Sequence, residues 1–197
     1  MITLCMDTSS KFLVLGIIKD NVLLSSIQEE CWKKQSEEIF PRLIELTERC
    51  SIGPEDIDSV VITEGPGSYT GVRIAMTIAK VFCVMADKQL YTIGTMQLFA
   101  GLEKCRVVLD ARGQRVYTAV LDQGKYIEEP KVMSIDDIMA LNEEIPVIGD
   151  GALVGKKNNY PNLAKNFLDL TDVWVKAKNT NLVRPEYLKS SESYLVK

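Results

Sequence analysis

Apolar and polar positions along the chain predict two similar sets of three short β-strands. The first set covers residues 2–6, 12–18 and 22–27, and the second covers residues 106–109, 116–121 and 125–127. Each set has a two-residue turn before its third strand, typical of a β-hairpin: Asp20-Asn21 in the first and Gln123-Gly124 in the second. Asp7 and Asp110 end the first strands 103 positions apart, and the turns are separated by the same offset. This spacing predicts an internal duplication.

The remaining apolar pattern predicts further strands and helices. Strands are predicted at residues 57–63, 91–93 and 146–148, and helices at residues 35–50, 70–86, 96–103, 134–141 and 163–168. Pro41 lies inside the first helix, where it would kink the helix or mark its start. The chain beyond residue 156 is rich in loops, and the polar tail at residues 184–189 is expected to be poorly ordered at its end.

The helix at residues 70–86 is apolar around nearly its whole circumference, and only Arg73, Thr77 and Lys80 form a narrow polar line. Such a helix is normally buried on all sides. We therefore expect its outer face, together with the helix at residues 35–50, to contact another protein chain. The alternative is burial between two halves of this chain. The predicted contact residues are Ile39, Leu43, Val72, Ala75, Met76, Ala79, Phe82 and Cys83.

The loop at residues 64–73 connects a predicted strand to this helix. Its glycines allow a positive φ or close backbone approach, Pro66 favours a turn, and Ser68 or Thr70 could cap the helix. Free N–H groups at a helix start can bind an anion, although the spacing matches neither a P-loop nor G-x-G-x-x-G. A tight connection without a ligand remains the alternative. The motif residues are Gly65, Pro66, Gly67, Ser68, Tyr69, Thr70, Gly71 and Arg73.

Three aspartates, Asp7, Asp110 and Asp150, each follow an apolar strand. Carboxylates in such places can hold Mg²⁺ beside a nucleotide phosphate, or they can cap turns. If a nucleotide binds this chain, the candidate residues are Asp7, Gly67, Ser68 and Asp110.

The amino-acid composition excludes several kinds of catalytic and metal site. The 197 residues include no histidine, which excludes Ser-His-Asp and Cys-His catalysis and His-ligated metals, so we predict no metal site. A net charge of −4 disfavours nucleic-acid binding by this chain alone. Five cysteines without a C-x-x-C pair indicate a reducing compartment. No apolar stretch reaches the length of a membrane helix, and we expect a cytoplasmic protein.

Several motifs occur in the order found in one known family. They are ITLCMDTS at residues 2–9, QSE at 35–37, GPGSYTGVRI at 65–74, DAR at 110–112, VY at 116–117, GDG at 149–151 and YP at 160–161. On these motifs the chain resembles the TsaB (YeaZ) family over residues 1 to about 165. GPGSYTGVRI is the most specific of them. Gln35 stands where the family usually has histidine, and the C-terminus is short for the family.

The resemblance implies an α/β protein with the actin/Hsp70-like ATPase fold, built from two ribonuclease-H-like subdomains at residues 1–102 and 103–197. It implies a non-catalytic subunit without a cofactor that binds and stabilises the transferase TsaD in threonylcarbamoyladenosine modification of tRNA. Further expected partners are TsaE in a larger complex, a second copy when the chain is alone, and tRNA only through the complex. The alternative is a nucleotide-binding ATPase or kinase of the same fold.

Overall fold

The computed structural model describes residues 1–31 and 33–188 of the chain. The strands are Ile2–Asp7 (β1), Phe12–Lys19 (β2), Val22–Glu30 (β3), Ser59–Thr63 (β4), Gln89–Ile93 (β5), Cys105–Asp110 (β6), Arg115–Asp122 (β7), Lys125–Ser134 (β8), Val147–Gly149 (β9) and Val175–Lys176 (β10). The α-helices are Gln35–Cys50 (α1), Tyr69–Met85 (α2), Thr95–Ala100 (α3), Ile135–Ala140 (α4) and Leu163–Asp169 (α5). Single turns of 3₁₀-helix lie at Pro54–Asp56, Gly151–Val154, Thr171–Val173 and Thr180–Leu182.

The strands form two sheets with the same internal order. The first sheet runs β10-β5-β4-β1-β2-β3, and the second runs β8-β7-β6-β9. In each sheet three consecutive strands are antiparallel, and a fourth strand lies parallel to the first of them. This repeated order is ribonuclease-H-like in both halves and gives the actin/Hsp70-like ATPase fold. The predicted fold class is therefore confirmed.

Both hairpin turns have the backbone conformation that their sequences predict. Asp20 and Asn21 have φ values of 50° and 62°, and Gln123 and Gly124 have values of 50° and 71°. Positive φ at both central residues defines a type I′ turn, whose twist matches that of the flanking strands. The two turns therefore fix equivalent hairpins in the two halves.

The apolar side chains fill three layers because alternate residues of a strand point to opposite faces of its sheet. Cys5 of β1 and Val107 of β6 face a shared core between the sheets, which also holds α3 and α5. Leu4 and Met6 face the opposite side of the first sheet, beneath α1 and α2. A smaller cluster lies under α4 on the outer side of the second sheet.

Helix α2 therefore covers the side of the first sheet that faces away from the second half. Its buried residues Ala75 and Ala79 pack with the outer-face side chains of β1 and β4. The alternative that this helix is buried between the two halves is wrong. One side of α2 lies on its own sheet, and Val81, Val84 and Met85 on its other side are exposed.

The C-terminal part of the chain returns to the first half. Strand β10 pairs with β5, where Val175 lies opposite Thr92, and α5 packs on β2, β3 and α3. The assignment of all of residues 103–197 to a second subdomain is therefore wrong for this last part. Within the polar tail, Glu186 and Tyr187 make specific contacts, which are described below. Lys189 lies outside the described residues.

Candidate functional site

The predicted loop at residues 64–73 connects β4 to α2 and leans on the turn between β1 and β2. The Ser68 N–H donates to the Ser9 carbonyl oxygen at 2.8 Å. The Ser68 hydroxyl accepts from the Gly71 N–H at 3.2 Å and so caps α2. Of the two capping residues that the sequence suggested, Ser68 is the one that makes this bond.

Two glycines of the loop are required by close backbone packing within the protein. A Cβ atom on Gly67 would lie 2.4 Å from the Ser9 carbonyl oxygen, and one on Gly71 would lie 2.2 Å from the Thr8 carbonyl oxygen. Real Cβ atoms do not approach oxygen so closely. The missing side chains therefore allow the loop to rest on the neighbouring turn, which is the role of a tight connection.

Asp7 lies beneath this loop and is completely buried. Its Oδ1 accepts hydrogen bonds from the Ser9 N–H at 2.9 Å and from the Thr63 hydroxyl. Burial raises the pKa of the Asp7 carboxyl, and the bonds from Ser9 and Thr63 oppose this shift. The carboxylate thus ties β1 to β4.

An open cleft of about 590 Å³ separates the two halves in front of the loop. Of the candidate nucleotide residues, Gly67, Ser68 and Asp110 line it, whereas Asp7 does not. The start of α2 faces this space. The volume is in the range of small-molecule sites.

The polar groups on the far wall of the cleft bind one another. The Asp110 N–H donates to Asp150 Oδ2 at 2.9 Å, and the Asp110 carboxylate accepts the Arg112 N–H at 2.7 Å. The Tyr160 hydroxyl donates to the other oxygen of Asp150. Tyr160 was not predicted as a cleft residue, because its bond to Asp150 forms only when the intervening loop folds back.

Lys11 is a second cleft residue that the sequence did not indicate. Its ammonium group lies 4.6 Å from the centroid of the Tyr160 ring and 3.1 Å from Glu30 Oε2. This cation is therefore engaged by an aromatic face and a carboxylate. Within residues 1–31 and 33–188 no group of three or more Cys, Asp or Glu side chains could hold a metal ion.

The predicted protein contacts on α1 and α2 need a correction. Six of the eight predicted residues are buried in the chain's own core, because their positions on the helices point toward the first sheet. They are Ile39, Val72, Ala75, Met76, Ala79 and Cys83. Leu43 and Phe82 are half-buried at the edge of this core.

The exposed apolar side chains of the two helices form what we call the apolar face. They are between 49% and 82% exposed, and comprise Phe40, Ile44, Val81, Val84 and Met85. Large apolar side chains grouped on neighbouring helices are unusual on a surface that meets only water. The apolar periodicity predicted such a face but could not identify its members, because the helix is apolar on both sides.

The polar line of α2 has a role that the sequence did not indicate. Residues 179–188, which we call the strap, run along α2 from its end toward its start. Lys80 Nζ donates to the Asn181 and Val183 carbonyl oxygens at 3.0 and 2.9 Å. Arg73 Nε donates to the Tyr187 hydroxyl at 2.7 Å.

Aromatic contacts also hold the strap against the loop at residues 64–73, which we call the motif loop. The rings of Tyr69 and Tyr187 stack with their centroids 5.3 Å apart, and the Arg73 guanidinium lies 3.9 Å from the Tyr69 centroid. Tyr69 and Arg73 of the predicted motif therefore hold the strap. The available sequence signal was the line of polar residues on an otherwise apolar helix.

Among the described residues, no helix is both long and apolar enough to cross a membrane.

Two ribonuclease-H-like halves around a cleft define a protein of the actin/Hsp70-like ATPase class. Within this class, the model of the TsaD family, tRNA N6-adenosine threonylcarbamoyltransferase, matches residues 23–186. The TsaB protein of Bacillus subtilis (strain 168) is 28% identical over 125 residues, which cover 61% of this chain and 55% of that protein. The chain thus spans about half the length of this relative. It belongs to the TsaD family and, within it, to the TsaB (YeaZ) proteins.

Other relatives match over more of their length. The TsaB protein of Buchnera aphidicola subsp. Acyrthosiphon pisum is 24% identical over 204 residues, covering 91% of both chains. YeaZ from Pseudomonas aeruginosa has the same fold, with a TM-score of 0.72 and 19% identity over 95% of this chain and 99% of that one. A Pseudomonas aeruginosa protein described as similar to the peptidase YeaZ has a TM-score of 0.76 and 18% identity over the same shares.

Proposed function

We propose that this chain is a non-catalytic subunit that binds and stabilises TsaD for threonylcarbamoyladenosine modification of tRNA. The apolar face on α1 and α2 is the observation that carries this proposal. The relatives from Bacillus and Buchnera are named as proteins of threonylcarbamoyladenosine biosynthesis. A subunit of such a pathway that exposes an apolar face is suited to bind another protein of the same pathway.

The chemistry of the chain supports a role without catalysis. Histidine is absent from the whole sequence, which removes the most common general base and metal ligand. In the cleft, the Asp110 and Asp150 carboxylates accept hydrogen bonds from the protein itself. Asp7 is buried below the cleft. These groups stabilise the local structure of each half, and we propose that the transfer chemistry belongs to TsaD.

The apolar face is the proposed TsaD-binding surface. Ile44→Glu on α1 and Val81→Glu on α2 place a charge at two exposed positions of this face, and Ile127→Glu places one at a similarly exposed position on β8. We expect each of the first two changes to weaken binding to the cognate TsaD at least tenfold, about 1.4 kcal/mol, and the third to leave it unchanged. Isothermal titration measures all three. Wild-type affinity in both face variants would place the contact elsewhere.

The functional test is threonylcarbamoylation of tRNA by purified components. Modification by TsaD should require this chain, and Ile44→Glu or Val81→Glu should lower it while Ile127→Glu does not. TsaE is proposed as a further partner in a larger complex. Because the chain carries a net charge of −4, tRNA contact is proposed only through that complex. Full modification by TsaD without this chain would reject the proposed role.

The same apolar face offers a site for a second copy when TsaD is absent. We propose a homodimer that competes with the TsaD complex. Light scattering at micromolar concentration should give twice the chain's mass of 22.0 kDa, and Val81→Glu should give the monomer. A wild-type monomer under these conditions would exclude the homodimer but not the TsaD complex.

The cleft favours a second candidate function, nucleotide binding by an ATPase or kinase. Its volume of about 590 Å³ and the start of α2 at its wall are the supporting observations. Against it, the loop glycines pack on Thr8 and Ser9, which leaves the loop less free to surround a phosphate. Titration of the isolated chain with Mg·ATP distinguishes the two candidate functions, because micromolar affinity would favour the ATPase or kinase.

A further inference from the structure

The strap is joined to the motif loop by a main-chain hydrogen bond between two glutamates. The Glu186 N–H donates to the Glu64 carbonyl oxygen at 2.6 Å. Glu186 also covers Gly65 so closely that a Cβ atom on Gly65 would lie 2.6 Å from the Glu186 carbonyl oxygen. Glu64 and Glu186 are therefore held side by side whenever the strap lies on α2.

The surroundings of this junction add negative charge. Glu129 and Tyr126 of β8 face the two glutamates, and the Thr92 hydroxyl of β5 bonds to Glu64. The nearby Arg73 of α2 donates to the hydroxyl of Tyr187, the residue that follows Glu186 in the strap. In the part of the chain that the structure describes, none of the three glutamates forms an ion pair. Ionisation of both Glu64 and Glu186 thus sets like charges together without a compensating cation.

We propose that the strap is a proton-dependent latch, which lies on α2 while Glu64 or Glu186 carries a proton and separates from it when both are ionised. Separation frees Arg73 and Lys80 and removes Asn181 from the groove that it forms with Val81 and Val84. Protons thereby change the shape and charge of the surface beside the apolar face.

The electrostatics give the direction of the effect. Burial raises the pKa values of the Glu64 and Glu186 carboxyls, and for Glu186 the charges of Glu64 and Glu129 raise it further. In the separated strap these carboxyls return toward their usual value near 4.5. Docking therefore binds protons. The stability that these protons add to docking is complete below about pH 4.5 and is lost as the pH rises through the raised values.

Amide hydrogen exchange of the Glu186 N–H tests the latch on the full chain alone, so the result is independent of TsaD binding. Exchange is measured by NMR at pH 5, 6, 7 and 8 and corrected for the intrinsic rate. We expect the protection of Glu186 to fall at least tenfold from pH 5 to pH 8. The Val61 amide in the middle of β4 reports global unfolding, and the loss of protection at Glu186 should exceed any change at Val61.

Glu64→Gln and Glu186→Gln remove the two charges while keeping side-chain size. Each variant should hold the Glu186-position amide equally protected at all four pH values, whereas Glu48→Gln on the exposed side of α1 should behave as wild type. Wild-type protection that is constant within twofold, or that rises with pH, would overturn the proposal. So would glutamine variants that keep the wild-type slope or lose protection at every pH.

Discussion

Lys80 Nζ donates a hydrogen bond to the Val183 carbonyl oxygen at 2.9 Å, joining the middle of α2 to a segment 103 residues later in the chain. The neighbouring Asn181 carbonyl accepts from the same ammonium. Lys80 belongs to the narrow polar line of an otherwise apolar helix. That line therefore has a structural purpose: it holds the strap on the surface of α2.

Replacing Lys80 with methionine should loosen the strap. The change keeps the length of the side chain and removes both hydrogen bonds, which at this partly exposed site contribute about 1 kcal/mol together. Trypsin cleavage after Lys178, next to the strap, should become about fivefold faster when it is measured at a low pH at which the wild-type strap lies on α2. Lys88→Met is the matched control, because Lys88 Nζ donates to the Glu55 carbonyl oxygen away from the strap. Equal cleavage rates for Lys80→Met and wild type would show that these bonds do not hold it.

A new negative charge should destabilise the protein on the buried side of α2 and have little effect on its exposed side. Ala79 is fully buried on the first sheet, whereas Val81 is 59% exposed. Ala79→Glu should lower the free energy of unfolding by about 3 kcal/mol or more, because the carboxylate is buried without a partner. Val81→Glu should change it by less than about 0.5 kcal/mol. Urea unfolding measures both, and similar values would contradict the burial described for this helix.

This contrast shows what apolar periodicity can and cannot predict. The hairpin turns were predictable because Asp20-Asn21 and Gln123-Gly124 encode positive φ locally, and the bounds of α1 follow from its own stripe. A helix apolar on both sides gives no such signal for orientation. Six predicted contact residues, Ala75 and Ala79 among them, therefore lie in the core, while Val81 and Met85 were not chosen.

The strap and the cleft wall could not be read from local sequence. The bond from Tyr160 to Asp150 and the pairing of β10 with β5 depend on segments brought together only by the fold. The glycines of the motif loop illustrate the same limit. Their spacing predicts close backbone approach, but not that the approaching group is the Ser9 carbonyl and not a ligand.

Gly67→Ala should therefore destabilise the protein even in the absence of any ligand. The new methyl group would lie 2.4 Å from the Ser9 carbonyl oxygen, which belongs to the backbone and cannot turn aside. Overpacking of this kind costs about 1–3 kcal/mol. Gly16→Ala is the control, since its nearest neighbours lie at 3.4–3.7 Å, an ordinary contact distance. Equal denaturation midpoints for the two variants would argue against close packing at Gly67.

Arg106 should stabilise the second half through a buried ion network. It is 3% exposed, and its Nε and Nη2 each donate to one Glu143 oxygen at 2.8 Å, while Glu128 accepts from the other side. Arg106→Met should cost about 2 kcal/mol, below the range for fully buried pairs because both glutamates keep some contact with water. Arg49→Met removes only an exposed pair with Glu45 and should cost less than about 1 kcal/mol. A similar loss of stability in both variants would contradict a larger contribution from the buried network.

Asp7 should make the stability of the protein depend on pH. Burial raises the pKa of its carboxyl above the usual value of 3.8, so the folded state binds the proton more tightly than the unfolded state. The stability that this provides is complete at low pH and is lost as the pH rises from about 4 through the raised pKa. Asp7→Asn cannot ionise. Its free energy of unfolding should therefore increase relative to wild type as the pH rises.

Urea unfolding at pH 4, 5, 6, 7 and 8 measures this difference, and contributions from Glu64 and Glu186 cancel because both proteins contain them. Asp87→Asn, the same substitution at an exposed position, is the matched control. The expected curve for Asp7→Asn rises and then levels off once the wild-type carboxylate is fully ionised. A difference that stays flat or shrinks with pH would mean that the bonds from Ser9 and Thr63 outweigh burial, and that Asp7 is a stabilising anion.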